Sequence, residues 1–372
     1  MTDPFQSHLN GGRESTFLKR KEKKMTLPEI NTQYLVDFLT RLLNTPSPTG
    51  FTDRAIALVE AELAQYPQLQ ISRTNKGALV AVLPGKEQGA WRALTAHVDT
   101  LGGMVKEIKS NGRLKLTMIG GFAWNTVEGE GCWVYPRKGE PVRGSLLLNK
   151  ASTHVHGVHV KEDKRDDDAM EVRLDARTAN IEETRELGIE VGDFVAFDPR
   201  VEVTNGFVRS RHLDDKACVA CLVAGIQALV KAGLQPARTT VFHISNYEEV
   251  GHGASAGIPG EVTELVAVDM AAVGDGQTSD EFHATLCVKD SGGPYHQGLS
   301  QHMRELTEKE GIPYKVDIYP YYGSDGEAFW RAGGDVAVAL IGPGVDASHN
   351  YERTHTEALI ATTQWVLAYL ME

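Results

Sequence analysis

Helical and strand-like segments alternate along most of this chain, but the alternation stops between residues 101 and 207. That interval has short alternating stretches, many glycine turns and no long helical pattern, which is typical of a small β-barrel or sandwich. An α/β fold interrupted by a β-rich insertion accounts for this order. The predicted helices cover residues 34–43, 52–66, 214–232, 297–310 and 356–370, and the predicted strands cover residues 78–83, 93–98, 239–247, 264–269 and 336–341.

The size and charge of the chain limit its function. Its 372 residues suffice for two domains, a main domain of residues 25–100 and 208–372 and an inserted domain of residues 101–207. With 38 Lys and Arg against 50 Asp and Glu, the net charge of −12 gives no overall attraction for nucleic acid or an anionic membrane. The sequence has no apolar run long enough for a transmembrane helix. Four cysteines are too few for a disulfide scaffold, and this usage favours a cytoplasmic protein.

Residues 1–24 differ from the rest, because they are polar, lack periodicity and end in a basic stretch. A signal peptide would place an apolar core after the positive charges, which this segment does not do. We expect a disordered tail, or a start codon assigned too early, that takes no part in the fold. A tether to nucleic acid or to a membrane is the alternative.

The residues that can carry chemistry follow predicted strands, where open α/β sheets place their binding sites. His97 and Asp99 lie two residues apart, so on an extended backbone both side chains face the same way. The pair suits an imidazole metal ligand whose other ring nitrogen is held by a carboxylate. Taken alone, however, it fits a hydrogen-bonded core histidine better.

Two acidic pairs add to this pattern. Asp214 and Asp215 begin the helix after the insertion, where acids are typical of helix caps but can also bridge two cations. Glu248 and Glu249 follow an apolar strand, and adjacent glutamates there are costly unless cations compensate them. Successive side chains of a strand diverge, so the second pair suits one metal ligand and one general base. A glycosidase is disfavoured, because its two carboxyls must act on one bond.

Asp269 and His349 complete a ligand set. Asp269 ends another apolar run, and His349 lies in the loop before the last predicted helix, with His355 as an alternative nearby. One histidine and one further acid for each metal, together with a shared Asp214, would make two sites. Nitrogen and oxygen donors without thiolates are typical of catalytic zinc, cobalt or manganese.

The order and context of these segments resemble the dinuclear metallo-aminopeptidases of the tetrahedral aminopeptidase and glutamyl aminopeptidase family. Members carry Ala-His-x-Asp, Leu-Asp-Asp, Glu-Glu-Val-Gly, a strand-end Asp, and Gly-Thr-Asp-Ala before a final His. The corresponding segments here are residues 96–99, 213–215, 248–251, 269, 323–326 and 349. The similarity spans residues 28–372. It implies a zinc-peptidase-like domain with a mixed central sheet flanked by helices, interrupted by a small β-barrel.

The resemblance also implies a role for each residue. One metal ion would have His97 and Asp269 as terminal ligands, the other Glu249 and His349, with Asp214 as the bridge. Family spacing favours His349 over His355. The remaining roles are a general base for Glu248, orientation of His97 for Asp99, and substrate binding for Asp325, with Glu327 as a further candidate for the substrate amine.

The implied activity is hydrolysis of N-terminal residues from peptides, with a water activated by two divalent metal ions and a Glu general base. The implied assembly is a homo-oligomer, up to a dodecamer, formed through residues 101–207. Thr100, where many members have Glu, and Gly326-Glu327 depart from the family pattern on the substrate side. The alternatives are a dinuclear-metal deacylase or dipeptidase for a small, osmoprotectant-related amide, and a binding protein that retains the fold, against which the intact ligand candidates argue.

Overall fold

The computed structural model describes residues 24–372. The expectation of a tail over residues 1–24 therefore concerns, apart from Lys24, residues outside that range. Within residues 24–372, no helix combines the length and apolar character needed to cross a membrane. The helices of this range are α1 (Thr32–Leu43), α2 (Asp53–Leu63), α3 (Thr153–His156), α4 (His159–Glu162), α5 (Ile181–Glu186), α6 (Leu213–Lys231), α7 (Gln297–Glu310), α8 (Asp325–Arg331) and α9 (Thr356–Met371).

The strands form one large sheet and one barrel. In chain order they are β1 (Gln70–Arg73), β2 (Leu79–Leu83), β3 (Glu87–His97), β4 (Gly102–Ile108), β5 (Leu114–Ile119), β6 (Gly131–Tyr135), β7 (Val142–Leu148), β8 (Met170–Leu174), β9 (Phe194–Phe197), β10 (Glu202–Thr204), β11 (Phe207–Ser210), β12 (Arg238–Ser245), β13 (Val262–Val268), β14 (Ala271–Val273), β15 (Ala284–Asp290), β16 (Gly293–Pro294), β17 (Tyr314–Ile318), β18 (Ala337–Asp346) and β19 (Glu352–His355).

The large sheet is mixed, as predicted, and its strand order is β1-β2-β12-β3-β13-β18-β19-β11-β10. Strands β12, β3, β13 and β18 run parallel to one another. Strand β2 pairs with β12 in the antiparallel sense, and β15 pairs with β18 in the same sense. Because four neighbouring strands run parallel, their carboxyl ends meet at a single edge, where open α/β sheets bind their ligands.

The sheet is covered on both faces, which explains why its strands are apolar without interruption. Successive residues of a strand point to opposite faces. Leu94 and Val266 accordingly join an apolar cluster with α1, α6 and α9, whereas Ala93 and Leu265 join a cluster on the other face.

Helix α6 is buried almost along its whole length and packs against α1 and α9. Its two cysteines, Cys218 and Cys221, are buried free thiols inside this packing, and burial raises the pKa of Cys221 to about 12. A helix buried on all sides cannot shift without breaking core contacts. The acidic residues in its first turn are therefore held in place at the carboxyl edge of the sheet.

The insertion folds as a closed barrel in the order β4-β5-β8-β7-β6-β9. Its interior is a separate apolar cluster that includes Val134, Leu146, Val172 and Val195. Barrel closure leaves no open sheet edge, which is how a small β unit buries its backbone groups. The structure thus confirms the predicted α/β fold with a mixed sheet and an inserted β-barrel, and the barrel rather than the sandwich is formed.

Candidate metal centre

The residues predicted to bind metal meet at the carboxyl edge of the central sheet, each delivered by a different element. His97 ends β3, Asp269 follows β13, Glu249 lies in a 3-10 turn after β12, Asp214 lies in the first turn of α6, and His349 lies between β18 and β19. All of these except His97 line a cavity of about 520 Å³, together with Glu248. Residues far apart in sequence are thus brought to one place by the parallel strands.

The first group of donors surrounds His97. One ligand atom each of His97, Asp214 and Asp269 lies within 4.8 Å of the others. The Nε2 atom of His97 is 3.2 Å from Asp214 Oδ1 and 3.5 Å from Glu248 Oε2. This nitrogen is buried and makes no hydrogen bond. An unpartnered buried ring nitrogen among carboxylates fits a cation.

The second group of donors surrounds His349. Its Nε2 atom is 3.3 Å from Asp214 Oδ2 and 3.6 Å from Glu249 Oε2. Asp214 therefore presents one carboxylate oxygen to each histidine. Such an arrangement is suited to a carboxylate shared by two cations. His355 lies elsewhere, packed against Phe207 and accepting a hydrogen bond from the backbone N–H of Glu357.

Both histidine rings are held with Nε2 facing the acids. The Nδ1 atom of His97 lies 3.0 Å from the carbonyl oxygen of Asp99, and the Nδ1 atom of His349 lies 2.5 Å from the carbonyl oxygen of Gly121. A carbonyl oxygen can only accept, so Nδ1 carries the proton in both rings. In the neutral rings, each Nε2 then offers its lone pair to the acidic side, as a metal-binding imidazole does.

Asp99 does more than the sequence indicated. Its carboxylate lies 3.4 Å from Nδ1 of His97 and accepts hydrogen bonds from Thr49 Oγ1 at 2.7 Å, Glu248 N at 3.1 Å and Glu249 N at 3.2 Å. Burial alone would raise the pKa of Asp99, but the contacts with His97 and Thr49 lower it below its usual value. One buried carboxylate thus fixes both the first histidine and the turn that carries the two glutamates.

Asp325, which is predicted to bind substrate, is buried behind the residues that line the cavity. Its carboxylate accepts hydrogen bonds from Thr95 Oγ1, Ser245 Oγ and Ala254 N. These bonds join β3, β12 and the segment after the 3-10 turn. Glu327, the second candidate, is also buried and pairs with Arg331, which lines the cavity. The substrate-binding roles of both acids stay predictions.

Sequence reasoning assigned no role to Glu352, which the structure places directly behind the centre. The side chain is 1% exposed and accepts hydrogen bonds from the backbone N–H groups of Asp214 and His349, each at 3.1 Å. Ser348 Oγ also donates to Asp214 Oδ2, at 3.3 Å. The available signal was the proximity of Glu352 to His349 in sequence, which does not say where the carboxylate points.

The protonation of the centre reflects crowded acids. Burial, and then repulsion by Asp214, raise the pKa of Asp269 to about 7, while burial raises the pKa values of Glu248 and Glu249 well above their usual range. Burial alone would lower the pKa of His349. The contacts with Asp214 and Glu249 have the larger combined effect and raise this pKa to about 11. The raised pKa values of the acids and of His349 both reflect crowded negative charge, which favours the binding of positive charge here.

Residues 77–365 match the family described as M42 glutamyl aminopeptidase. The chain belongs to this family. YhfE of Bacillus subtilis (strain 168), a candidate aminopeptidase by name, is 48% identical over 90% of this chain and 96% of its own length. Membership of this family and the similarity to YhfE identify the chain as a peptide hydrolase.

Solved structures of other proteins share this fold. Aminopeptidase APDkam598 from the archaeon Desulfurococcus kamchatkensis aligns with a TM-score of 0.82 at 20% identity, covering 92% of this chain and 95% of its own. The TET1 peptidase of Pyrococcus horikoshii aligns with a TM-score of 0.80 at 21% identity, covering 91% and 99%. At these identities the two likenesses concern the fold, which spans nearly the whole length of all three chains.

The raised carboxyl pKa values predict that the metal-free protein loses stability as the pH rises. Asp269, with a pKa of about 7, and Glu352, with a pKa of about 8, ionise less readily in the folded chain than in the unfolded chain, where an ordinary carboxyl has a pKa of about 4. The stability that these two groups contribute to the folded chain is fully present below about pH 4 and is lost as the pH rises through 7 and 8. Lys216, His212 and His243, whose pKa values are lowered by burial, act in the opposite direction.

The variant Asp269→Asn isolates one of these groups, because asparagine does not ionise. In chelator-treated protein, the Tm of the variant is compared with the Tm of wild type at each pH. We expect the difference, variant minus wild type, to be at least about 2 °C larger at pH 8 than at pH 5. Differential scanning fluorimetry at the two pH values measures this difference. A difference that stays constant or shrinks as the pH rises would contradict the assignment of a raised pKa to Asp269.

Proposed function

We propose that this chain is a metal-dependent aminopeptidase whose two divalent cations share Asp214. The observation that carries the proposal is the position of this carboxylate between two histidines, with Oδ1 3.2 Å from Nε2 of His97 and Oδ2 3.3 Å from Nε2 of His349. Asp269 supplies a further acid on the first side and Glu249 on the second. Membership of an aminopeptidase family supports the same reaction.

Each cation would have one histidine, one acid of its own and Asp214. Nitrogen and oxygen donors of this kind suit zinc, cobalt or manganese. When bound, a pair of such cations polarises the scissile carbonyl and lowers the pKa of a water. The remaining tasks of the reaction belong to side chains of the protein.

Glu248 is suited to the general base. Its side chain is 16% exposed and lines the cavity, whereas that of Glu249 is 3% exposed and faces His349. Burial raises the pKa of Glu248, which makes its carboxylate a stronger proton acceptor than an exposed one. Glu248 would accept a proton from the attacking water and deliver it to the leaving amine, while Asp99 keeps its backbone in place.

Family membership favours a substrate with a free amino group. Four acids line the cavity, namely Asp214, Glu248, Glu249 and Asp269, together with Arg331. Three of these acids are the proposed cation ligands, and two divalent cations would offset the charge of all four. The family matched by residues 77–365 is one of aminopeptidases, which supports removal of N-terminal residues over hydrolysis of small acylated amides.

We also propose that the chain assembles as a homo-oligomer through its barrel. The TET1 peptidase of Pyrococcus horikoshii is described as assembling into a tetrahedron or a large octahedral shell. The inserted segment exposes several large apolar side chains, including Trp133 at 39%, Val155 at 73%, Val158 at 54% and Val191 at 62%. Exposed apolar side chains of this kind can take part in an interaction surface.

Analytical ultracentrifugation tests the assembly. We expect a mass that is a multiple of 40.7 kDa, and a smaller mass when Val155 and Val158 are both changed to Asp, because a buried charge opposes association. Ile318→Asp, at an isoleucine of the main domain that is 51% exposed, is the matched control and should leave the mass unchanged. A wild-type monomer at micromolar concentration would contradict the proposal.

The proposed activity is tested with matched peptides that differ only at the N-terminus, one free and one acetylated. We expect stepwise loss of residues from the free-amine peptide alone, abolished by a chelator and restored by zinc, cobalt or manganese. Mass spectrometry follows the cleavage. Turnover of the acetylated peptide would instead favour the dinuclear-metal deacylase, and cleavage that survives full metal removal would rule out metal dependence.

The role of Glu248 is tested by Glu248→Gln, which keeps the shape of the side chain but cannot accept the proton. We expect kcat to fall by about 10²–10⁴-fold, with the metal content unchanged by elemental analysis. Glu357→Gln, in an exposed glutamate beyond the cavity, is the matched control and should keep full activity. An active Glu248→Gln enzyme would show that another group is the base.

A further inference from the structure

A buried glutamate behind the candidate metal centre joins two of its ligand segments. Glu352 begins β19, and its carboxylate accepts one backbone hydrogen bond on each oxygen. Oε1 accepts from the N–H of His349 and Oε2 from the N–H of Asp214, both at 3.1 Å. A carboxylate that bonds one backbone N–H on each oxygen fixes the distance between the two backbones.

Neither backbone is held by regular secondary structure. His349 has φ 63°, and Ala347, two residues earlier, has φ 58°, both in the left-handed region that L-residues rarely adopt. Asp214 has φ −72° and ψ 105°, outside the helical region although it stands at the start of α6. The left-handed conformations of Ala347 and His349 persist only where neighbouring groups hold them. Glu352 bonds to His349 and, across the centre, to Asp214.

The placement of Glu352 is costly, which argues for a specific role. Its side chain is 1% exposed, and its carboxylate lies beside Asp214 and His349, whose backbone N–H groups donate to it. Burying a carboxylate costs free energy, which these two hydrogen bonds offset in part. Asp99 has the equivalent arrangement on the other side, where it accepts from the N–H groups of Glu248 and Glu249.

We propose that Glu352 is a positioning residue for the cation held by Asp214, Glu249 and His349. By setting the separation of the Asp214 and His349 backbones, it sets the distance between the carboxylate oxygen and the imidazole nitrogen that share this cation. The inference rests on the proposed two-cation function. It adds a residue that touches neither the substrate nor a cation and acts through two ligands.

The test is the binding of Co²⁺ by wild type and by Glu352→Gln, measured by isothermal titration calorimetry and by the visible absorption of bound cobalt. Glutamine has one acceptor oxygen, so it bonds one backbone N–H and turns its own N–H₂ toward the other. We expect wild type to bind two Co²⁺. In the variant, we expect the first to bind as before and the Kd of the second to rise by about 10–100-fold.

Asp193→Asn is the matched control. Asp193 is 7% exposed in the barrel region and also accepts one backbone N–H on each oxygen, from Arg137 at 3.2 Å and Glu190 at 2.7 Å. The same chemical change there should lower the Tm without altering the Kd of either Co²⁺. A merely structural effect would instead weaken the second Co²⁺ equally in both variants, which would overturn the inference.

Glu352→Asp keeps the test decisive if the glutamine variant does not fold, because it retains both acceptor oxygens on a shorter side chain. We expect it to weaken the second Co²⁺ less than glutamine does but measurably. Unchanged binding of both cations in a folded Glu352 variant overturns the inference while leaving the proposed function intact. A wild-type protein that binds one Co²⁺ or none overturns the two-cation site itself, and with it the role given to Glu352.

Discussion

Mutual repulsion among buried carboxylates at one edge of the central sheet is the constraint on which the site depends. Asp214, Glu248, Glu249 and Asp269 line one cavity, with His97 and His349 as the adjacent bases. Such crowding is unfavourable in a dry interior unless donors and positive charge offset it. The backbone N–H of Met270 donates to Asp269 and offsets part of this cost. The two cations that we propose would offset the rest, so the repulsion that costs stability would also create affinity for them.

Rigid secondary-structure elements hold these acids in place despite their repulsion. Parallel strands β3, β12 and β13 deliver their ends to one edge, and α6, buried along its length, holds Asp214 against them. Two carboxylates then lock the irregular segments, Asp99 on the side of the glutamates and Glu352 on the side of His349. The candidate ligands on short turns thereby gain the precision that a metal site needs from two carboxylates outside the proposed ligand set.

Much of the fold and of the candidate site could be predicted from the sequence, because apolar runs and helical spacing reflect burial. Helix α7 has the predicted bounds, and His97 and Asp269 fall where the strand pattern placed them. The order of the strands in the sheet could not be predicted, because no local sequence pattern indicates that β12 lies between β2 and β3. Strand β17 was missed because its residues are mostly half-buried. The contact of Asp325 with the distant Thr95 could not be predicted, because it exists only in the folded chain.

The junction between barrel and main domain has a consequence for how this enzyme can be divided. Strand β3 passes from His97 through Asp99 into β4 with only a few residues between them, so no flexible linker separates the two units. The loop after β5 supplies the carbonyl of Gly121 that orients His349, and Gly120, at φ 78°, lies so close that a Cβ there would come within 3.5 Å of Glu249. A trimmed enzyme without the barrel would lose the acceptor of one histidine, so the insertion and the centre must be inherited, transplanted or redesigned as one unit.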